Sequence, residues 1–145
     1  MNLDERWFQG HLMEMSHSEC LEALASRPVG RVAYCDPDGP VVIPVNYVLE
    51  GEDVLFRIAS WTSLARGLHG PAAFQVDDFE EYTQSGWSVL VRGKVSYIDH
   101  DSGSEGAAKG AAEGTERPVP WAAGRRELLV RISPSSITGR RLLAG

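Results

Sequence analysis

The chain has 145 residues, a length that suits one ordinary domain and is short for two. With 43% hydrophobic and 23% charged residues it has the composition of a globular protein, and no run of about 18 apolar residues predicts a membrane span. The formal net charge of −6 argues against general binding to nucleic acids or anionic membranes.

The charge is unevenly distributed along the chain. Residues 117–145 hold six arginines and one acid, for a net charge of +5, whereas the first 116 residues hold 8 basic and 19 acidic residues, for −11. Nucleic-acid binding through this basic segment is disfavoured because the rest is acidic and lacks an RNA-binding aromatic motif. The N-terminal sequence lacks the order of a secretion signal, so we expect a cytoplasmic protein.

The first third of the chain predicts a helix and a hairpin. After an N-terminal arm, residues 1–15, the spacing of apolar residues predicts a short amphipathic helix over Met15–Arg27. Alternating Val, Ile and Tyr residues then predict strands over Gly30–Cys35 and Pro40–Leu49, joined by a tight DPDG turn at 36–39.

Polar and sulfur-bearing side chains add detail to this region. Ser16 or Ser18 can cap the helix. Cys20 and Cys35 fall on apolar faces of the helix and the hairpin, which places both in the core. Two cysteines without a CxxC motif predict neither a disulfide framework nor a zinc site.

The middle of the chain continues mainly as strands. Asp53–Ala59 is predicted as a strand, and Ser60–Leu68 as a short helix capped by Ser60 or Thr62. Two more strands are predicted over Ala72–Val76 and Gly86–Ile98, the second bending at Gly93. The acidic segment DDFEE, residues 77–81, is predicted to connect them.

The last third is divided by a small-residue segment. Residues 99–116 are rich in Gly, Ala and Ser and predict a flexible loop or weak helix, within a flexible connection at 99–120. Arg126–Ile132 is predicted as a last strand and Ile137–Leu142 as a tail. Six strands without a helix between each pair predict a mainly β, antiparallel barrel with short flanking helices, a single domain over residues 1–145.

The segment FRIASWTS, residues 56–63, is the strongest candidate for a binding site. Arg57 ends a strand, and the hydroxyls of Ser60, Thr62 and Ser63 follow where a helix begins. Guanidinium, hydroxyl and helix N-terminal amide groups suit a terminal phosphate. The alternative is that the hydroxyls only cap the helix and that Arg57 is an ordinary surface residue.

Tryptophans and a proline supply two further cues. Trp87 begins a strand, and Trp121 lies near Arg125; planar aromatics and arginines suit a conjugated ring and its carbonyls. Trp87 taken alone is more typical of a core residue. Pro44 lies inside a predicted strand, which indicates an edge or a bulge where backbone groups are free to meet a ligand.

No hydrolase or NTPase motif is present: GxSxG, HExxH and GxxxxGK[ST] are all missing from the sequence. Instead, the chain carries five informative segments: GRVAYCDPDGPVVIPVNYVLEGEDVLFRIAS, AAFQVDDFEE, GWSVLVRGKV, PWAAGRR and ITGRRL. Together, these segments resemble the pyridoxamine 5'-phosphate oxidase-like, flavin-binding split-barrel proteins, especially their short actinobacterial type. The likeness spans about residues 16–143. It implies an antiparallel split barrel that forms a homodimer and holds FMN in clefts between subunits, with no metal.

The resemblance also implies site residues. By position, they are Val45, Asn46, Tyr47, Arg57, Ala59, Ser60, Thr62, Ser63, Trp87, Trp121 and Arg125. Residues 57–63 would cradle the phosphate, residues 45–47 would lie near the isoalloxazine edge, and Trp87 near the dimer cleft. Trp121 and Arg125 would approach the flavin from the C-terminal arm.

The cradle departs from the pattern FRTxxGTK, which many family members share. Ile58, Trp61 and Ser63 stand where that pattern has threonine, glycine and lysine. Losing a hydroxyl and a cation weakens phosphate binding by about 1–3 kcal/mol for a charge-assisted contact.

Two functions therefore remain open. One is a flavin-dependent oxidoreductase acting on a small-molecule redox substrate that the sequence does not identify, with catalytic residues unassigned. The other is a non-catalytic module that binds flavin, deazaflavin or haem.

Overall fold

The computed structural model describes residues 11–59, 62–98 and 127–143. The strands are β1 (His11–Glu14), β2 (Val29–Asp36), β3 (Gly39–Glu50), β4 (Asp53–Ala59), β5 (Gly70–Glu80), β6 (Ser85–Ile98) and β7 (Glu127–Leu143). Two helices are described, α1 (His17–Ala25) and α2 (Ser63–Gly67).

The strands form one antiparallel sheet that closes on itself. Its order is β1-β7-β4-β3-β2-β5-β6, and a further β6–β7 pairing joins the ends of the six-stranded part. The predicted six-stranded antiparallel split barrel is therefore confirmed. The structure adds β1, which lies within the predicted N-terminal arm and pairs with the end of β7.

The interior of the barrel is apolar because the strands alternate. On β4, Val54, Phe56 and Ile58 belong to the core, which turns Leu55 and Arg57 to the outer face. The helix α1 packs against β7, β3 and β6. The core therefore consists of aliphatic and aromatic side chains, and among the described residues no buried polar or charged residue interrupts it.

α1 is fixed at its N-terminus by a capping box. The Ser16 hydroxyl accepts a hydrogen bond from the Glu19 N–H (3.2 Å), and the Glu19 carboxylate accepts one from the Ser16 N–H (3.0 Å). The hydrogen bonds with Ser16 lower the pKa of Glu19. The prediction of a serine cap is confirmed.

The two cysteines differ in environment. Cys20 is buried on α1 as predicted, but Cys35 is exposed, so its predicted place in the core is wrong. On β2, Val32 and Tyr34 point into the core, and alternation therefore turns Cys35 outwards.

The acidic segment does not form the predicted connection. Residues 77–80 belong to β5, and Asp77–Glu80 pair with Ser85–Ser88 of β6. β2 pairs with β5 only at residues 73–75, so this extension is an edge on its other side. Charged side chains suit this exposed edge, because they discourage pairing with a strand of another molecule.

β7 is one long strand, not the predicted strand followed by a tail. It pairs with β4 at residues 127–132, with β6 at residues 129–142 and with β1 at residues 140–143. The register shifts between Arg92 and Gly93, whose partners are Ser136 and Pro134. The bulge thus accommodates the proline, while the hydroxyl of Ser135 donates to the Arg92 carbonyl (3.0 Å).

Among the described residues, no helix is both long and apolar enough to cross a membrane.

Candidate functional site

The junction between β4 and α2 is the predicted phosphate cradle. Thr62 caps α2: its hydroxyl accepts from the Ala65 N–H (3.4 Å) and donates to the Ala59 carbonyl (2.7 Å). Ser63 is the first residue of α2. Thr62 thus already has a local structural role, and Ile58, 5% exposed, faces the core and offers no polar group to the outer surface.

Arg57 is the charged group of this region. It lies on the outer face of β4, with its side chain 22% exposed, and its Nη1 is 3.4 Å from Oε2 of Glu127. Its Nε is buried and has no hydrogen-bond partner among the described residues. Arg57 pairs in register with Leu129, so the guanidinium lies beside the start of β7. One acid therefore satisfies only part of this guanidinium.

Apolar side chains border Arg57 on the same outer face. Leu55 and Leu129 are 0% and 1% exposed, although neither belongs to the core cluster inside the barrel. A guanidinium beside buried apolar surface is less screened by water than one in open solvent, so its attraction for an anion is stronger there.

The β3 residues predicted near a flavin edge divide between two faces. Val45 and Tyr47 are buried in the core, and Asn46 is half-buried. The Tyr47 hydroxyl donates to the Leu24 carbonyl of α1, and burial raises the pKa of Tyr47 to about 12. The side chains of Val45 and Tyr47 are therefore committed to packing, and a ligand contact at these two positions would have to come from the backbone.

Within the part of the chain that the structure describes, the first part of β3 has one unpaired side, where Pro44 predicts an edge. Among the described residues, β3 pairs with β4 at residues 47–50, whereas Gly39–Asn46 pair with β2 alone. Pro44 lies in this second part, opposite Arg31, with no break in the register. Proline has no N–H, but no hydrogen bond between strands is lost on the unpaired side of β3. The prediction that Pro44 marks an edge is confirmed.

Trp87 lies on β6 between two other strands. It pairs with Asp78 of β5 and Arg141 of β7, and it is partly buried against the core. Because Trp87 is only partly buried, its ring can pack against the core and still contact a ligand. Of the other predicted site residues, Ser60, Trp121 and Arg125 lie outside the described residues, and the Ser63 side chain is not described.

A second polar surface lies on the outer face of β6 and β7. Here a depression of ≈ 670 Å³, called the β6–β7 depression below, has polar lining from Gln75, Ser88, Arg92, Ser136, Thr138 and Arg140. The sequence pattern did not reveal this surface, because it predicts a strand and a separate tail where β7 is continuous. The sequence of β6 does indicate this outer face, because Ser88, Leu90 and Arg92 alternate with the core residues Val89 and Val91.

Comparison with known proteins places the fold in context. A sequence model described as Pyridoxamine 5'-phosphate oxidase matches residues 16–141. The uncharacterized protein Rv3129 of Mycobacterium tuberculosis is 31% identical over 99 residues, 68% of this chain and 83% of that protein.

Solved structures share the whole barrel. The FAD binding protein from Mycobacterium smegmatis is 31% identical with a TM-score of 0.76, covering 92% of this chain and 100% of that one. The FAD and heme binding protein from the same organism, at 17% identity and a TM-score of 0.66, covers 91% of this chain and 74% of its own, and shows the fold alone. By the family match over residues 16–141 and these shared features, the chain belongs to the pyridoxamine 5'-phosphate oxidase family.

Proposed function

We propose that this protein binds a flavin nucleotide, FMN, and works as a cytoplasmic flavin-dependent oxidoreductase. The observation that carries the proposal is the guanidinium of Arg57, whose Nε is buried without a partner among the described residues. A buried donor without an acceptor costs free energy, and a phosphate oxygen would satisfy it.

The rest of the site supports an anionic ligand with a flat apolar part. Glu127 engages Nη1 of Arg57 at 3.4 Å, a long contact that leaves the other guanidinium nitrogens available. The free edge of β3 offers backbone groups for the heteroatoms of a ring. The 31% identity to an FAD binding protein supports a flavin, although FAD and FMN differ in their phosphate groups.

In this proposal the residues bind and orient, and the flavin when bound supplies the redox chemistry. Arg57 holds a phosphate oxygen, and Leu55 and Leu129 keep water away from that contact. Backbone groups of residues 45–46 hold the ring edge. Trp87, together with Trp121 and Arg125, covers the ring at the interface of a homodimer.

The first experiment measures flavin uptake. The purified protein is heated and the released cofactor is identified as FMN, FAD, deazaflavin or haem; the stripped protein is then titrated with FMN. We expect Arg57→Gln to weaken FMN binding by about tenfold or more, because a charge-assisted hydrogen bond is lost. Lys94→Gln is the matched control, because it removes an exposed positive charge on a different strand, β6.

The results separate the alternatives. Protein that releases no flavin and takes up none would contradict the proposal, and so would an Arg57→Gln variant with unchanged FMN affinity. FAD as the released cofactor would correct the choice of FMN while keeping the flavin site. Sedimentation at dilutions that split the dimer tests the interface, because a cleft shared by two subunits must lose its flavin when they part.

A non-catalytic carrier is the second candidate function. It is favoured by Ile58 and Ser63, which stand where many family members have threonine and lysine. Anaerobic reduction of the bound flavin by NADPH or reduced deazaflavin, followed by turnover with an acceptor, supports the enzyme. Stoichiometric flavin that none of these donors reduces supports the carrier.

A further inference from the structure

We propose that the β6–β7 depression is a second binding site, which takes a small organic anion with its phosphate or carboxylate between Arg92 and Arg140. The depression measures ≈ 670 Å³, which lies within the range of about 300–1,000 Å³ typical of small-molecule sites. It is built from strands of the closed barrel and therefore on a rigid part of the fold.

The register places the two arginines symmetrically about one residue pair. Arg92 pairs with Ser136, Leu90 with Thr138, and Ser88 with Arg140. Each arginine is thus two residues, about 7 Å along a strand, from the central Leu90–Thr138 pair. Arginine side chains are long enough for both guanidinium groups to bind one anion above that pair.

The positive charge of the depression is only partly compensated, by Glu14, which pairs in register with Arg140. Neither Arg92 nor Arg140 forms an ion pair with another described residue, whereas the neighbouring Arg31 is paired with Asp77 at 3.2 Å. One acid, Glu14, also lines the depression, so its charged side chains sum to a single positive charge. The lining as a whole therefore favours an anion.

The other lining groups define the kind of anion. Hydroxyls of Ser88, Ser136 and Thr138 can donate hydrogen bonds to further oxygens. Leu90 and Ile137 add an apolar part to the lining, which suits the carbon skeleton of an organic ligand. A nucleic acid fits poorly, because the chain has a net charge of −6 and would repel a polyanion beyond the depression.

This site is separate from the Arg57 site of the same subunit. Arg57 pairs with Leu129, and Ser136 lies seven residues further along β7. With one residue absorbed by the bulge, that separation is about 20 Å. A phosphate on Arg57 and an anion in the depression are therefore different groups in one subunit, and the second site does not rest on the flavin proposal.

The test uses two anions of different chemistry. The full chain is titrated by calorimetry with pyrophosphate and, separately, with citrate, which distinguish a phosphate ligand from a carboxylate ligand. We expect one of them to bind in the depression once per chain, in addition to any phosphate that Arg57 holds, and Arg92→Gln and Arg140→Gln each to weaken the binding in the depression by about tenfold. Lys94→Gln changes the same charge two residues beyond Arg92 on β6 and should bind like the unaltered protein.

Three results would overturn the second site. One is the absence of binding by either anion, and another is equal weakening in the Lys94→Gln control, which means attraction by charge alone. The third is loss of FMN uptake in Arg92→Gln and Arg140→Gln, with pyrophosphate competing against FMN, because the depression then belongs to a flavin cleft completed by a partner subunit. Unchanged thermal unfolding of the variants shows that they remain folded, and FMN uptake by the unaltered protein reports on the flavin proposal alone.

Discussion

Nη1 of Arg57 lies 3.4 Å from Oε2 of Glu127, across the pairing of β4 with β7. Both side chains are mostly buried, at 22% and 18% exposure, so their attraction is screened less than that of a surface pair. In the absence of a ligand, the Glu127 carboxylate is the anion that Arg57 binds. A bound phosphate would have to share the guanidinium with this carboxylate.

Glu127→Gln should therefore strengthen FMN binding. The amide keeps the size of the carboxylate but removes the negative charge that competes with phosphate, and we expect a several-fold lower dissociation constant with at most about 1 kcal/mol lost from the free energy of unfolding. A fluorescence titration with FMN measures this. Glu22→Gln, on the exposed face of α1, controls for the change in net charge. Weaker FMN binding in Glu127→Gln would instead make Glu127 a residue that positions Arg57.

Tyr47 links the barrel to α1 and should make stability depend on alkaline pH. Its pKa in the folded protein is raised to about 12 from an ordinary value of 10, mainly by burial. The folded state thus keeps the proton that the unfolded state loses, so the stabilisation is complete below pH 10 and disappears as pH rises through 12. The difference between these two pKa values corresponds to about 2–3 kcal/mol of unfolding free energy.

Tyr47→Phe separates the hydroxyl from the ring. At neutral pH the variant should lose about 1 kcal/mol, because the hydrogen bond to the Leu24 carbonyl is removed. Above pH 10 its stability should fall less steeply than that of the unaltered protein, as measured by urea unfolding at several pH values. Tyr82→Phe, at a tyrosine that is 94% exposed, should change neither quantity. Equal alkaline slopes for the Tyr47→Phe variant and the unaltered protein would contradict the role of Tyr47.

Gly93 permits the bulge between β6 and β7. A Cβ at this position would lie 2.2 Å from the Ser133 carbonyl oxygen, which belongs to the backbone and cannot turn aside. Gly93→Ala should therefore destabilise the protein by about 3 kcal/mol, near the upper end for overpacking. Thermal unfolding measures the loss, with Ser96→Ala on the same strand as the control. A loss below about 0.5 kcal/mol would mean that β7 shifts freely at the bulge.

The sequence predicted the barrel because its strands carry the period-two pattern on one buried face, as Val54, Phe56 and Ile58 do. It predicted the edge at Pro44 from the chemistry of proline alone. Local pattern did not reveal that β7 is continuous, because a strand with Pro134 is interpretable only once its partner Gly93 is known. The acidic extension of β5 was missed for a similar reason, since its stability depends on pairing with β6.

The candidate site divides in the same way. Arg57 could be selected from its position before a run of hydroxyls, but its pairing with Glu127 requires the β4–β7 register, which joins residues 70 apart in the chain. Arg92 and Arg140 are likewise brought together by register. Residue type thus identifies candidate ligands for an anion, and long-range pairing decides which of them share a surface.

Arg131 neutralises two carboxylates at the hairpin between β3 and β4. Its Nη1 donates to Asp53 (2.5 Å) and its Nη2 to Glu50 (3.0 Å), and all three side chains are between 21% and 28% exposed. Burial disfavours the charge of Arg131, but the hydrogen bonds to both acids outweigh it and raise the pKa of the guanidinium. The second carboxylate oxygen of Glu50 is buried without a partner among the described residues. The negative charge of Glu50 is therefore stabilised mainly by Arg131.

Arg131→Gln should cost about 1–3 kcal/mol of unfolding free energy at neutral pH, because it leaves two neighbouring carboxylates without a cation. The deficit should be smaller in a background that carries Glu50→Gln and Asp53→Asn, because no carboxylates are then left without a cation. Urea unfolding of the single and multiple variants measures it, and Arg66→Gln, an exposed arginine of α2, is the control. An equal deficit in both backgrounds would show that Arg131 acts through the packing of its side chain, since packing does not depend on the charges of Glu50 and Asp53.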